Sequence, residues 1–331
     1  MIKKKLKILH IILSKGFAGS EKYVVDLVQF QKKKHFVSLI SSKKNITLNK
    51  ILKNKINVFG IGSLFRKLKI KKLIKNINPD IIHTHLGESA RLINKSSNYK
   101  TISTMHMNYK NKDFKNMDGI IVSNKTQFNE IKKVFKGKIF KSHLWVNLPK
   151  ISITKSKMKK NLNLPKKNFI FGSIGRYHPQ KGFDILINCF QELNLKNCTL
   201  ILIGNGHKEY LKLETSNNKF KIIGHVDNVS NYYNIFDICL FASRWETFGY
   251  SLVESMKFNK PIISSKHIGN KDWINKFQIN QFDINKKKHL KSLIKKLYKS
   301  TSLKKKYDLG MFDYKKNCEA ITSIYKKLLV Q

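Results

Sequence analysis

Arginine is scarce in this chain of 331 residues: only Arg66, Arg91, Arg176 and Arg244 stand among 66 basic residues. Acidic residues number 20, so the formal net charge is +46. A charge of that size suggests nucleic acid, but bidentate recognition of bases and phosphates favours arginine. The lysines are scattered through the chain beside abundant Asn and Ile, which reads as a compositional bias carried on solvated faces. Attraction to an anionic surface, either a lipid head-group layer or an anionic small molecule, stands beside that reading.

Cysteine is also sparse. Cys189, Cys198, Cys239 and Cys318 form no Cys-x-x-Cys pair, which excludes a cysteine-rich metal knuckle or a redox motif. Cys189 and Cys239 sit in apolar runs as small core residues, in keeping with a reducing cytoplasm. No run approaches 18 apolar residues, so a membrane-spanning helix is not expected. The segment Met1–Leu13 is apolar but interrupted by Lys7 and His10, and no small-residue cleavage site follows it. It reads as a first buried strand rather than a signal peptide.

What is present is enough for two cores: 41% of residues are hydrophobic. Short apolar runs alternate with helical periodicity along the whole length. Strands are expected at 6–13, 36–40, 56–59, 80–83, 100–104, 118–123 and 139–143. A second series is expected at 169–174, 199–204, 221–223, 237–241 and 261–264. Helices are expected to fill much of the space between them, for example at 21–33, 66–76 and 126–135 in the first series, and at 183–193, 207–215, 229–235 and 250–258 in the second. Such alternation means parallel sheets covered by helices. A polar, proline-flanked, lysine-rich stretch from Leu148 to Lys166 reads as a linker. The expected organisation is a doubly wound domain over 1–150, a second over 151–316, and an amphipathic helix over 317–331 that packs back on the first. Ligands of such sheets gather at the carboxyl ends of the strands, here expected in the cleft between the domains.

The most informative segment is Ile238–Glu254. It reads as a buried strand, a polar turn carrying Glu246, and a helix carrying Glu254. The backbone N–H groups of Phe248, Gly249 and Tyr250 stand at the start of that helix, where unpaired amides and the helix dipole favour anions. Two acids beside an anion-binding turn suit a ligand with both hydroxyls and phosphates, such as a nucleotide-sugar. Earlier in this half, Gly175-Arg176 is followed by Lys181-Gly182. The glycines admit close approach, and the two cations can neutralise a diphosphate. Two further strand ends carry Gly204-Asn205-Gly206 and Gly224-His225-Val226.

In that order and spacing these motifs resemble the retaining GT-B glycosyltransferases of the group 1 (family 4) type. The resemblance is strong from about Phe169 to Asp272. It is looser in the first half, over Phe17-Ala18-Gly19-Ser20-Glu21, Pro79–His85 and Ser103–His106. It implies an α/β GT-B fold, two Rossmann-like domains with a cleft between them. It implies that Arg176 and Lys181 bind the donor diphosphate and stabilise the leaving nucleotide, with Gly175 in the same loop. Glu246 would contact the donor sugar, the amides of Phe248 and Gly249 the phosphate or sugar, and Glu254 the ribose. Backbone near Val226 would meet the base. His106 would reach the sugar and diphosphate from the first domain, and Gly19 would lie beside acceptor and diphosphate. For His83 and His85 a structural and a ligand role both stay open, and Trp245 is either packing or a platform near the sugar.

The implied activity is retaining transfer of a hexosyl or N-acetylhexosaminyl group from a UDP-sugar or GDP-sugar to a glycan or glycolipid acceptor. The setting would be surface polysaccharide or lipopolysaccharide synthesis in the cytoplasm, with peripheral contact to the anionic inner membrane face. No cofactor and no metal are expected: fixed cations and helix amides can stabilise the leaving diphosphate, and no Asp-x-Asp triplet occurs. No nucleic-acid partner is expected. Two alternatives remain, an epimerase-like GT-B enzyme and a non-catalytic basic binding module. A binding module should show basic stripes rich in arginine or aromatics, without the ordered acid and base set. The chain departs from the family pattern in three respects. Ala18 stands where a paired glycine is usual, and Ile268–Asp272 replaces a Gly-Gly-x-x-Glu run, where either Asp272 substitutes for the acid or the contact is absent. The chain is also short, which implies trimmed loops in the first domain.

Overall fold

The computed structural model describes residues 5–211, 219–266, 271, 273–300 and 305–330. The chain forms two compact units, Met1–Trp145 with Met311–Gln331, and Val146–Gly310.

The first unit begins with β1 (Lys7–Ile12), α1 (Gly19–Gln31), β2 (Phe36–Ser42), α2 (Ile46–Leu52) and β3 (Asn57–Ile61). It continues with α3 (Arg66–Ile77), β4 (Ile81–His85), α4 (Gly87–Arg91) and β5 (Lys100–Thr104). Then come α5 (Asn111–Phe114), β6 (Gly119–Val122), α6 (Lys125–Ile131) and β7 (Lys138–Lys141). The seven strands lie in the order β3-β2-β1-β4-β5-β6-β7, every pair parallel. β1 and β4 are almost wholly buried; β1 is apolar but for Lys7 and His10, whereas β4 buries His83, Thr84 and His85 behind two isoleucines.

The second unit holds α7 (Lys155–Asn161), β8 (Phe169–Ile174), α8 (Phe183–Glu192), β9 (Cys198–Ile203) and β10 (Phe220–Ile223). It then holds α9 (Val229–Ile235), β11 (Ile238–Phe241), α10 (Tyr250–Lys257), β12 (Ile262–Ser265), β13 (Asn280–Phe282) and α11 (Lys287–Tyr298). Its parallel sheet has the order β10-β9-β8-β11-β12-β13. Both sheets reverse direction of winding beside their first strand, between β1 and β4 and between β8 and β11. This is the switch point at which doubly wound sheets place ligands. Close packing holds the second switch point: a Cβ on Gly172 of β8 would lie 2.2 Å from the Phe236 ring.

The units divide at Trp145/Val146 and Gly310/Met311, rather than at 150/151 and 316/317. The first shift has a packing cause. Trp145 stacks on Tyr23 with centroids 4.2 Å apart and donates Nε1–H to Asp26 Oδ2 at 3.3 Å, so it closes the first core. The last helix, α12 (Tyr314–Leu329), starts earlier than expected because Asp313 caps it through the Lys316 N–H at 2.7 Å. It lies in the first unit, where the Tyr314 hydroxyl donates to Asp26 O at 2.9 Å.

The stretch expected as a linker contains α7. Thr154 caps it, and Met158 is its single buried side chain, too little apolar signal to show through the lysines. The helix expected at 207–215 is, over its described part, a 3-10 turn at Lys208–Leu211 in which only Leu211 is buried. β13 and α11 extend the second unit beyond its last expected strand, and the short helices α2, α4 and α5 fill spaces between strands of the first. Asp272 and residues 268–270 lie outside the described residues.

Candidate active site: the strand ends of each unit

In the second unit the first loop and the Glu246 loop meet at the ends of β8 and β11. The Lys181 ammonium forms an ion pair with Glu246 Oε1. Ser243 Oγ donates to the same oxygen at 3.0 Å. The Lys181 stem runs over Gly175, where a Cβ would stand 3.2 Å from Lys181 Cδ. Any side chain at 175 would therefore push the lysine aside. Gly182 has φ +63°, and a Cβ there would lie 2.0 Å from the Ala242 carbonyl oxygen. The two loops approach so closely that only glycine fits.

Arg176 is exposed and donates to Gln180 Oε1 at 3.2 Å. Gln180 is 7% exposed and also donates Nε2–H to Trp245 O at 3.0 Å, tying the Arg176 loop to the Glu246 loop. Arg244 completes the tie. Its guanidinium makes a bidentate contact with Asp184 at 3.0 and 2.7 Å and donates to Pro179 O. Burial pushes the Asp184 carboxyl up, but the Arg244 hydrogen bonds and charge, with backbone donors, outweigh it and hold the group below its usual range. Gln180 and Arg244 are therefore positioning residues that motif reading passed over. The scarcity of arginine was the signal that could have found Arg244.

α10 begins at Tyr250 with Gly249 as its N-cap at φ +87°. Phe248 is buried and packs edge-on to Tyr250 at 5.0 Å. The turn thus sets the first amides of an eight-residue helix beside Lys181 and Glu246. Gly249, Ser251, Lys181 and Glu246 line one small cavity of ≈ 10 Å³, about the size of one water. Glu254 lies one turn further on, 8% exposed, and its Oε2 accepts from the Tyr233 hydroxyl at 3.0 Å. Burial first, and then the Glu254 charge, push the Tyr233 phenol well above its ordinary range, so it stays a donor. Val226 stands half-buried beyond the end of β10, away from this cluster in sequence but on the same sheet edge. Trp245 is 48% exposed.

In the first unit Gly19 is the first residue of α1. Its turn is held by Glu21, which is 2% exposed. Glu21 accepts from the Ala18 N–H at 2.7 Å, Ser14 Oγ at 2.5 Å and Ser20 Oγ at 3.0 Å. Three converging donors satisfy a buried carboxylate and hold the turn, so this loop is ordered although Ala18 replaces a glycine. His106 follows β5 and joins a file of histidines. His85 Nδ1 lies 3.4 Å from His106 Nε2, His85 Nε2 lies 3.0 Å from His10 Nδ1, and His10 Nε2 lies 2.8 Å from Gln31 Oε1. His83 sits beside the file, 2.7 Å from Thr104 Oγ1 and 2.5 Å from the Tyr325 hydroxyl. Burial lowers all four imidazoles, His10 to about 4 and His106 to about 3, so they are neutral at pH 7. Nitrogens of His10, His83 and His85 lie within 4.8 Å of one another, a spacing compatible with a metal ion. All their ring nitrogens, however, already have hydrogen-bond partners. His10 and Gln31 had not been singled out in the sequence.

A second feature of this unit is a cavity of ≈ 470 Å³ at the ends of β2, β3 and β4. Lys15, Lys44, Arg66 and Arg91 line it, with Glu88 as its one acid. Arg66 pairs with Glu88, and Arg91 lies 3.4 Å from Asp113.

The sequence model described as "Glycosyl transferases group 1" matches residues 154–310, and the one described as "Glycosyl transferase 4-like" matches residues 10–135. With two parallel-sheet domains of this topology, the chain belongs to the GT-B glycosyltransferases of group 1. An "Uncharacterized 41.2 kDa protein in cps region" of Klebsiella pneumoniae is 28% identical over 245 residues, 63% of this chain and 66% of that protein. The "Capsular polysaccharide biosynthesis glycosyltransferase CapM" of Staphylococcus aureus is 27% identical over 165 residues, 47% of this chain and 42% of its own length. These matches span less than two thirds of each relative. Among solved structures, a glycosyltransferase from Rickettsia africae superposes with a TM-score of 0.80 at 23% identity, covering 98% of this chain and 99% of that one. Anabaena HepE in complex with UDP and glucose superposes with a TM-score of 0.75 at 18% identity, covering 98% of both chains. At those identities the likeness is one of fold.

Proposed function

We propose that the protein transfers a sugar from a nucleoside-diphosphate donor to a glycan or lipid-linked acceptor in cell-surface polysaccharide synthesis. Transfer proceeds with retention and without a metal ion. The observation that carries this reading is the Lys181–Glu246 ion pair at the start of α10, with Arg176 on the adjoining loop. When the sugar departs, negative charge grows on the leaving diphosphate. A fixed ammonium, a guanidinium and helix-terminal amides stabilise that charge with no reorganisation at the moment of reaction. Glu246 aims the lysine and offers its second oxygen to sugar hydroxyls. Glu254 takes the ribose, backbone at Val226 the base, and Phe248 and Gly249 offer amides. His106 serves the sugar, and Gly19 the acceptor and diphosphate.

The polysaccharide setting is supported by the names of the Klebsiella and Staphylococcus relatives, and a UDP or GDP donor by the UDP in the HepE complex. The basic cavity bearing half of the chain's arginines supports an acceptor with a phosphate or another anionic group. It also supports peripheral contact with an anionic membrane. No helix among the described residues is long and apolar enough to cross one.

The test is transfer with UDP- and GDP-sugars in excess EDTA, with the product anomer read by NMR and with Glu254→Ala as control. A saturating nucleotide at a hundred times its Kd should add about 2.7 kcal/mol of stability. Turnover in EDTA with retained configuration supports the reading. An inverted product overturns retention, restoration of turnover only by a divalent ion overturns metal independence, and the lack of any nucleotide-dependent stabilisation overturns the donor site.

A further inference from the structure

We propose that Gln31, His10 and His85 are positioning residues that set the tautomer of His106, leaving its Nδ1 as a bare acceptor for a ligand hydroxyl. The argument is one of proton bookkeeping. A neutral imidazole carries one N–H, so each ring that donates from one nitrogen must accept at the other. The Gln31 amide turns Oε1, a pure acceptor, toward His10 and leaves its own Nε2 buried without a hydrogen-bond partner, so the His10 Nε2 facing Oε1 at 2.8 Å carries the proton. His10 Nδ1 is then bare, and His85 Nε2, 3.0 Å away, must donate to it. His85 Nδ1 is bare in turn and accepts from His106 Nε2 at 3.4 Å. The file ends with a lone pair on His106 Nδ1.

The surroundings leave the rings little room to turn. His10 and His85 are 0% exposed, and Gln31 is 1% exposed. His83 lies against His85 with centroids 4.2 Å apart and is itself held by Thr104 and Tyr325. Tyr23 meets the His106 ring edge-on at 5.0 Å. A single residue on α1 therefore reads out at the end of β5, three side chains away. The ligand chemistry follows: an imidazole with a bare nitrogen accepts from a sugar or acceptor hydroxyl and repels a second acceptor such as a phosphate oxygen. The reverse amide orientation of Gln31 would run every bond backward and finish with a proton on His106 Nδ1.

The tautomer claim stands on the unliganded protein, and only the identity of the hydroxyl rests on the proposed function. The experiment is a long-range proton–nitrogen NMR correlation of protein labelled with 15N-histidine, with His106 assigned by His106→Gln. The expected result is protonation at Nε2 in wild type and mixed tautomers in Gln31→Leu. In sugar transfer, Gln31→Leu should lower kcat/KM by between about tenfold and a hundredfold. A proton on His106 Nδ1 in wild type overturns the proposal, whatever Gln31→Leu does to folding. An unchanged tautomer in a folded Gln31→Leu, or a stoichiometric metal ion removed from the histidines by chelator, overturns it equally. Correct tautomers with no transfer activity would uphold the file and count against the proposed function instead.

Discussion

Lys181 and Glu246 stand 65 positions apart in sequence and share an ion pair at the ends of β8 and β11. Their side chains are 17% and 12% exposed, so neither charge is well solvated without the other. Removing one partner of such a pair leaves the second uncompensated. Lys181→Met should lower kcat by about 10²- to 10³-fold, the cost of one lost donor to a developing anion. It should also lower stability by about 1–3 kcal/mol through the stranded carboxylate. The double variant Lys181→Met/Glu246→Gln should recover most of that stability and none of the activity. Urea unfolding together with steady-state transfer separates the two effects.

Arg244 makes a second prediction. Its fork to Asp184 joins the Arg244–Trp245 turn to the start of α8, and its contact with Pro179 O joins both to the Arg176 loop. Lysine carries the charge but not the fork. Arg244→Lys should therefore cost only about 1 kcal/mol of stability, since the pair is partly exposed. It should raise the KM for the donor by about tenfold, because the Arg176 and Glu246 loops lose their common anchor. Calorimetry and donor titration check the two halves. An unchanged donor KM would deny Arg244 a positioning role.

The histidine file predicts a pH response. Folding lowers His10 from 6.5 to about 4, His106 to about 3, and His83 and His85 well below the usual value. Below pH 6.5 the unfolded chain therefore binds protons that the native protein refuses. Stability is full above that pH and falls as the pH drops toward 4, by up to about 1.4 kcal/mol per pH unit for each refused proton. Urea midpoints at pH 7.5 and 5.5 should differ in that direction, and His83→Gln should flatten the slope. Equal midpoints would mean that these imidazoles are not held neutral.

The second half was the more legible in the sequence, for a physical reason. Its candidate site residues follow short buried strands closely, so Arg176, Lys181, Glu246 and Glu254 appear as ordered motifs along the chain. β5, β8 and α9 were read at their observed limits, and the other expected strands to within two residues at either end. What escaped was whatever depends on partners distant in sequence. Gln180 and Arg244 act across loops about 65 residues apart. Gln31 and His10 matter only because β1 lies between β2 and β4. The short helices α4, α5 and α7 bury one or two side chains each, too few to leave a period in so lysine-rich a sequence.

The basic cavity of the first unit gives the last prediction. Lysine lining means little in a chain of this composition, but Arg66 and Arg91 are half of its arginines. Each is also held in place. Arg66 Nε donates to Gly62 O at 3.3 Å while its other end pairs with Glu88. Arg91 faces Asp113, itself fixed so tightly against Gly87 that a Cβ there would lie 2.2 Å from its carboxylate oxygen. Two guanidinium groups held this way present forks suited to a phosphate or carboxylate rather than to neutral hydroxyls. Arg91→Ala should therefore raise the KM for an anionic acceptor by about tenfold, with donor KM unchanged. The wild-type acceptor KM should rise with added salt, and the variant's should rise less, because one screened contact has gone. A neutral acceptor should respond to neither change. Equal sensitivity of charged and neutral acceptors to Arg91→Ala would make the arginine a structural strut of α4 and leave the acceptor's charge unread.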